Sequence, residues 1–249
     1  MQGSGPHVPE RGWETRWILQ ALDLGLHAPA AFLILLVSVI SFGMALIGLR
    51  PFFPGPWGAV LLTSGAVALA CAPVIMIHGA LMQADGTGSL GAGLAIARAR
   101  SLGVTAFLFT SAMLSMHVIF PRVSGATPVP VSDLFQLILK IGLKPFLSIH
   151  VSLMIVNPIC LALTAGIGFS AREATMASMR MIMRIAPVWL ALMFGTTVAA
   201  SALLRLPPIL AIPGSLILIA WTHVAAREIF GGIRQNGTSR FAVSQTGAA

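Results

Sequence analysis

LGLHAPAAFLILLVSVISFGMALIGL, residues 24–49, carries no Asp, Glu, Lys or Arg over its whole length. An α-helix rises about 1.5 Å per residue, so about 20 such residues cross the hydrocarbon core of a bilayer. An ionised side chain at the bilayer centre is costly, and charge-free windows therefore locate spans. Further windows of this kind run over 51–84, 101–121, 145–171, 185–204 and 206–226. None is long enough for two spans and a turn. The second opens on Pro51, Pro54 and Pro56, which place a loop ahead of its helix. The reading is six membrane helices near 30–49, 57–82, 102–121, 145–169, 187–205 and 209–229. Continuous apolar runs of this length exclude a β-barrel, whose strands are about 10 residues long and alternate in polarity. Residues 1–29 form an N-terminal segment, 30–230 a single membrane domain, and 231–249 a polar, disordered cytoplasmic tail.

The composition agrees. Of 249 residues, 57% are hydrophobic and 9% charged, against about 25% charged in soluble domains. This excludes a disordered chain, a nucleic-acid module and an ordinary soluble enzyme. The net charge of +8 comes from basic residues scattered singly between apolar runs, so they point to anionic headgroups and not to nucleic acid. They also set orientation. With both termini cytoplasmic, Arg11, Arg16, Arg98, Arg100, Arg172, Arg180, Arg184, Arg227, Arg234 and Arg240 lie inside; Arg50, Arg122, Lys140, Lys144 and Arg205 lie outside. Glu10, Arg11, Glu14, Arg16 and Asp23 precede the first span, a pattern unlike a cleavable signal peptide. Cys71 and Cys160 lie deep in apolar segments and read as reduced, packed thiols.

Two further segments read as amphipathic helices at the membrane surface. In 170–184, Ser170 and Glu173 have capping-box spacing. Arg172, Arg180 and Arg184 share one side of the wheel and Met176, Met179 and Met183 another. The apolar side covers the bundle in the plainer reading. In the sharper one, Met176, Met179 and Met183 with Arg180 and Arg184 form a docking surface for a protein partner. In 12–28, Trp13 and Trp17 are one turn apart and suit an interfacial anchor. The predicted fold is thus all-α: six membrane helices plus two interfacial ones. The stretches after these two segments are alike. "LHAPAAFLIL" and "RIAPVWLALM" each place Ala-Pro at the entry to a span, and "HGALMQADG" from His78 matches "HVAAREIFG" from His223 in ending on Gly. Residues 12–86 and 170–231 read as a parallel repeat.

The same stretches resemble a family of bacterial inner-membrane proteins of unknown function with six spans. "REATMASMRMIMRIAPVWLALMFG" looks like that family's amphipathic helix and Pro bend. "IPGSLILIAWTHVAAREIFGG" looks like its last span, ending in Arg-acid-Ile-Phe-Gly at Arg227 to Gly231, and "APVIMIHGALMQADG" looks like its second span. The resemblance covers about half the chain and implies a bacterial inner membrane as the location. It assigns no activity and no functional residue.

Candidate chemistry is sparse. In the predicted topology His78 and His223 lie near the cytoplasmic ends of two spans, and His117 and His150 near the outer ends of two others. Two histidines in each leaflet is the layout two bis-histidine haems need, or a metal or proton path. The plainer reading is interfacial or packed imidazoles, with no cofactor. Asn157-Pro158 falls in the middle of the predicted fourth helix, and Pro73 within the second. Kinks there fit either a translocation site or simple packing with an interhelical hydrogen bond from Asn157. Ser41 and Ala45, Ala66 and Ala70, Ser111 and Ser115, and Ala162 and Gly166 recur at the spacing that lets helices approach. The seven acidic residues all fall in predicted loops or at helix ends, which leaves the bilayer interior without an ionised group. No catalytic set, P-loop or nucleophile elbow is present. The expected function is a non-enzymatic structural or accessory membrane protein acting through helix packing with membrane partners or copies of itself. A small-solute transporter or channel component is the alternative, and a haem-binding redox subunit a further one.

Overall fold

The computed structural model describes residues 6–119, 134–153 and 156–231. Eight helices succeed one another among the described residues: α1 (Trp13–His27), α2 (Pro29–Leu49), α3 (Gly55–Ala84), α4 (Ala92–Ile119), α5 (Leu134–Ser152), α6 (Cys160–Ile167), α7 (Ala171–Leu203) and α8 (Pro208–Phe230). A single 3-10 turn, Arg50–Phe52, extends α2. No strand occurs among the described residues. Among the described residues six helices are long and apolar enough to cross a membrane: α2 with its 3-10 turn, α3, α4, α5, α7 and α8. The protein is an all-α, multi-pass membrane helix bundle.

Proline and glycine punctuate it as local sterics require. Pro29 is the first residue of α2, directly after Ala28 has left helical geometry (φ −115°, ψ 66°). Pro208 opens α8 in the same way. The capping box at the start of α7 is present: the Ser170 hydroxyl accepts from the Glu173 N–H at 3.4 Å and the Ser170 N–H donates to Glu173 Oε2 at 2.8 Å. α7 runs on past the expected interfacial segment, but Ile185 breaks its geometry (φ −139°, ψ 44°) two residues before Pro187. In both halves a helix leads through a bend at Pro into two apolar helices: α1, α2 and α3 in the first, the two parts of α7 and α8 in the second. Trp189 Nε1 ties the bend by donating to Ser178 Oγ across it at 2.8 Å.

α3 and α8 form the centre, while α2, α4 and α7 present much of their surface outward. Leu33, Val37, Leu69, Val104, Leu108, Phe194 and Val198 are exposed on the outer side of the bundle. That is the surface a protein offers to lipid tails. α2 and α5 cross most closely at Gly43 and Gly142. A Cβ on Gly142 would overlap the Val39 carbonyl and lie 2.8 Å from the Gly43 nitrogen. The small-residue pairs named from sequence are elsewhere: Ser41, Ala45 and Ala66 border a cavity of ≈ 400 Å³ between α2 and α3.

Two spans are not where the charge-free windows put them. The third membrane helix begins at Ala92 and not near 102, and so contains Arg98 and Arg100. Arg98 lies near the end of α6, where its Nη1 donates to the carbonyls of Thr164 (3.3 Å) and Ala165 (2.6 Å). The fourth is α5 at 134–152, not 145–169, and it carries Lys140 and Lys144 within the helix. These two cations are not loop residues; Lys140 is half-buried and Lys144 exposed. Asn157-Pro158 is correspondingly no kink inside a helix but the break between α5 and α6. Pro158 has no N–H to give and disfavours helix in the residue before it. α3, by contrast, continues unbroken through Pro73. Both cysteines are free and buried. The tail from 232 onward and the 120–133 connection, with Arg122 and Asp133, lie outside the described residues, as does the His117 side chain.

Candidate functional site

The C-terminal ends of α3 and α8 lie together and bring ionisable groups to one place. Asp85 caps α3, and its carboxylate is only 6% exposed. Asp85 Oδ2 takes His223 Nε2 at 2.9 Å and Arg227 Nη1 at 3.1 Å. Its other oxygen, Oδ1, accepts the Thr87 N–H at 2.9 Å and the Thr87 hydroxyl. His223 and Arg227 are one helical turn apart on α8, so both reach the same carboxylate. Burial by itself pushes the Asp85 carboxyl up. Hydrogen bonds from His223 and Thr87 outweigh it and hold the group at about 2. The unfolded chain has the ordinary carboxylate value of 3.8, so this stabilisation is fully present above that pH and is lost as pH falls toward about 2. Thermal unfolding of the purified protein is expected to show a melting temperature that drops between these pH values, and this drop is expected to be reduced in Asp85→Asn.

Two of the four histidines named from sequence, His78 and His223, meet here, and a third, His150, lies nearby. The His78 ring lies 5.8 Å from that of His223, centroid to centroid. His150 on α5 is within electrostatic reach of His78. The layout of two histidines in each leaflet is therefore not found, because α5 ends earlier than its predicted counterpart and brings His150 to the His78 side. None of the three extends to an interface: His78, His150 and His223 are all buried. His150 Nδ1 donates to the Phe146 carbonyl at 3.0 Å; its Nε2 and both nitrogens of His78 have no hydrogen-bond partner. The pair does not fit a haem. His223 Nε2 already serves Asp85, and His78 is fully enclosed and does not border the cavity beside it. Among the described residues no group of three or more His, Cys, Asp or Glu is arranged to hold a metal ion.

That cavity, of ≈ 440 Å³, is walled by α3, α6 and α8 and the turn after α3. Thr87, His223 and Arg227 supply its polar side; Met82, Leu163, Ile167 and Phe230 are among its apolar walls. Ala162 and Gly166, one of the four-residue pairs, border it as well. α6 is held against the rest by Asn157. Its Nδ2 donates to the Ala174 carbonyl of α7 at 3.2 Å and its Oδ1 accepts the Ile159 N–H at 3.0 Å. Asn157→Leu leaves the Ile159 N–H unpaired in a buried site and removes the tie to α7, a loss of about 1–3 kcal/mol. A clear fall in melting temperature is expected; unchanged stability would mean that Asn157 does not anchor the break.

A second cluster fixes α1. Glu228, next to Arg227, takes Trp17 Nε1 at 2.8 Å and pairs with Arg16. The His7 N–H donates to the Ile229 carbonyl at 3.0 Å. Trp17 is thus fully buried rather than dipped into the interface. The Arg-Glu-Ile-Phe-Gly run at 227–231 joins α8 to α3 through one charge, to α1 through the next, and borders the cavity with its last two residues. On α7, Met176, Met179 and Met183 are exposed, as are Arg180 and Arg184. Met181, between them, is buried.

Comparison of the chain with protein-family models, with curated proteins and with solved structures gives no match.

Proposed function

We propose that the protein is a component of a small-solute transport path, with its binding site in the cavity among α3, α6 and α8. The observation that supports this most is the Asp85–His223–Arg227 cluster, whose His223 and Arg227 wall that cavity. Ionisable groups within a membrane bundle are expensive and are typically kept for a function. The break at Asn157-Pro158 adds to it, since discontinuous helices build the sites of many transporters. No covalent chemistry is assigned to the site. The same proposal puts the protein in a bacterial inner membrane with both termini cytoplasmic, as a member of the six-span family it resembles. The split of ten Arg on one side against three Arg and two Lys on the other supports that orientation.

The test is flux. The full chain in proteoliposomes is expected to pass at least one small organic solute, and Ala162→Leu, which fills the cavity, is expected to stop it. Absence of flux across charged and neutral solutes alike would remove the transport reading. The second reading, an accessory subunit docking through the α7 face, is favoured by the exposures of Met176 (53%), Met179 (56%) and Met183 (79%). Affinity purification from native membranes is expected to yield a stoichiometric partner if that reading is right, and a lone chain if it is not.

A further inference from the structure

We infer that the cavity among α3, α6 and α8 takes a small organic monoanion: a single carboxylate-like head on an apolar body. The inference rests on reading that cavity as the solute site and adds the chemical class of the solute. A volume of ≈ 440 Å³ lies within the usual range for small-molecule sites, about 300–1,000 Å³. Its charged wall has one sign. Arg227 borders the cavity, and its side chain is the most open of the ion-pair cluster, 38% exposed. Asp85 does not border it and sits behind with 6% exposure. The cavity therefore meets the cationic end of the pair, and the negative end is turned away.

The remaining hydrogen-bonding capacity points the same way. Asp85 already accepts from His223, Arg227 and Thr87. It has little left to offer a cation. Arg227 uses Nη1 on Asp85 and makes one long contact, 3.5 Å, from Nη2 to Gln20 Oε1. A guanidinium has five N–H donors in a fork that matches a carboxylate, so donors remain for a ligand. The neighbouring acid, Glu228, is engaged by Arg16 and Trp17 of α1. A dianion would bring a second charge against Leu163, Ile167 and Phe230 with no second cation on the wall. A neutral solute would meet the donors that Arg227 does not spend on Asp85 without the charge assistance a carboxylate gives. A monoanion with an apolar body answers both walls.

Three probes of one shape separate these cases: 4-fluorobenzoate, 4-fluorobenzylamine and 4-fluorobenzyl alcohol, monitored by fluorine NMR with the full chain in phosphatidylcholine nanodiscs and empty nanodiscs as the blank. Benzoate is expected to bind tightest, by roughly tenfold over the other two, as a charge-assisted bidentate contact supplies. Arg227→Gln is expected to erase that preference and Arg227→Lys to keep part of it. Gly166→Leu is expected to abolish binding of all three, since a Cβ at Gly166 meets nothing within 4 Å and the longer side chain enters the cavity. Its melting temperature, compared with the parent chain, shows whether the bundle is intact. Equal or tighter binding of the amine or the alcohol overturns the inference. So does benzoate binding that survives both Arg227→Gln and Gly166→Leu, or no binding by any probe. Flux of cations through the parent chain would sink the charge class and leave transport standing. Anion binding without flux of any solute would do the reverse.

Discussion

Asp85→Asn is expected to destabilise the bundle by about 3 kcal/mol, the low end of what removing one member of a buried ion pair costs. The low end applies because Arg227, at 38% side-chain exposure, keeps some solvent, whereas His223 is only 7% exposed. The amide cannot balance the guanidinium and turns at least one N–H toward donors that already point at it. Removing the stranded cation as well, in Asp85→Asn with Arg227→Gln, is expected to recover part of the loss. Thermal or denaturant unfolding in detergent for the parent, both single variants and the double variant closes the cycle. Additive losses would mean the two groups do not act as a pair.

Gly142→Leu is expected to be the more damaging change, about 3 kcal/mol or more through overpacking. A Cβ there already overlaps the Val39 carbonyl, and both of its nearest neighbours are backbone. Neither can turn aside as a flexible side chain does. α2 and α5 must then separate, and with them the attachment of α5, including His150, to the centre. The expected readout is loss of the monodisperse protein peak on size exclusion. Gly166→Ala is the control: its Cβ meets nothing within 4 Å, and alanine is the better helix former by roughly 0.5–1 kcal/mol. Its melting temperature is expected to hold or rise.

The charge-free windows find six spans because charge is costly in lipid, and the helices bear that count out. The same rule misplaces two of them. It treats every Arg or Lys as loop, but helix formation itself is indifferent to these residues. Arg98 is accommodated because α6 offers two carbonyls to it, and that partner is 66 and 67 residues away. Lys140 and Lys144 lie inside α5 for a similar reason: long stems separate the backbone position from the charge. The amphipathic helix before Pro187 and its capping box are legible, since both are set by residues within one or two turns. The site is not. Asp85 is separated from His223 and Arg227 by 138 and 142 positions, and no local spacing carries such a relation. One signal is present: the segments beginning at His78 and His223 both run from His to a Gly, and the sequence reading pairs them. Their likeness lies at the ends of α3 and α8, which pack side by side.

Arg227 and Glu228 send consecutive charges to Asp85 after α3 and to α1, and the second has a consequence for how the protein is made. Trp17 and Arg16 are synthesised well before their partner, since Glu228 comes after them by 211 and 212 positions. At about 5–20 residues per second, α1 waits roughly 10–40 s for its docking partner. Until then its tryptophans have only the membrane surface to lie on. Docking of the first helix is therefore a closing step in biogenesis, and a chain cut short before α8 leaves that helix unmoored.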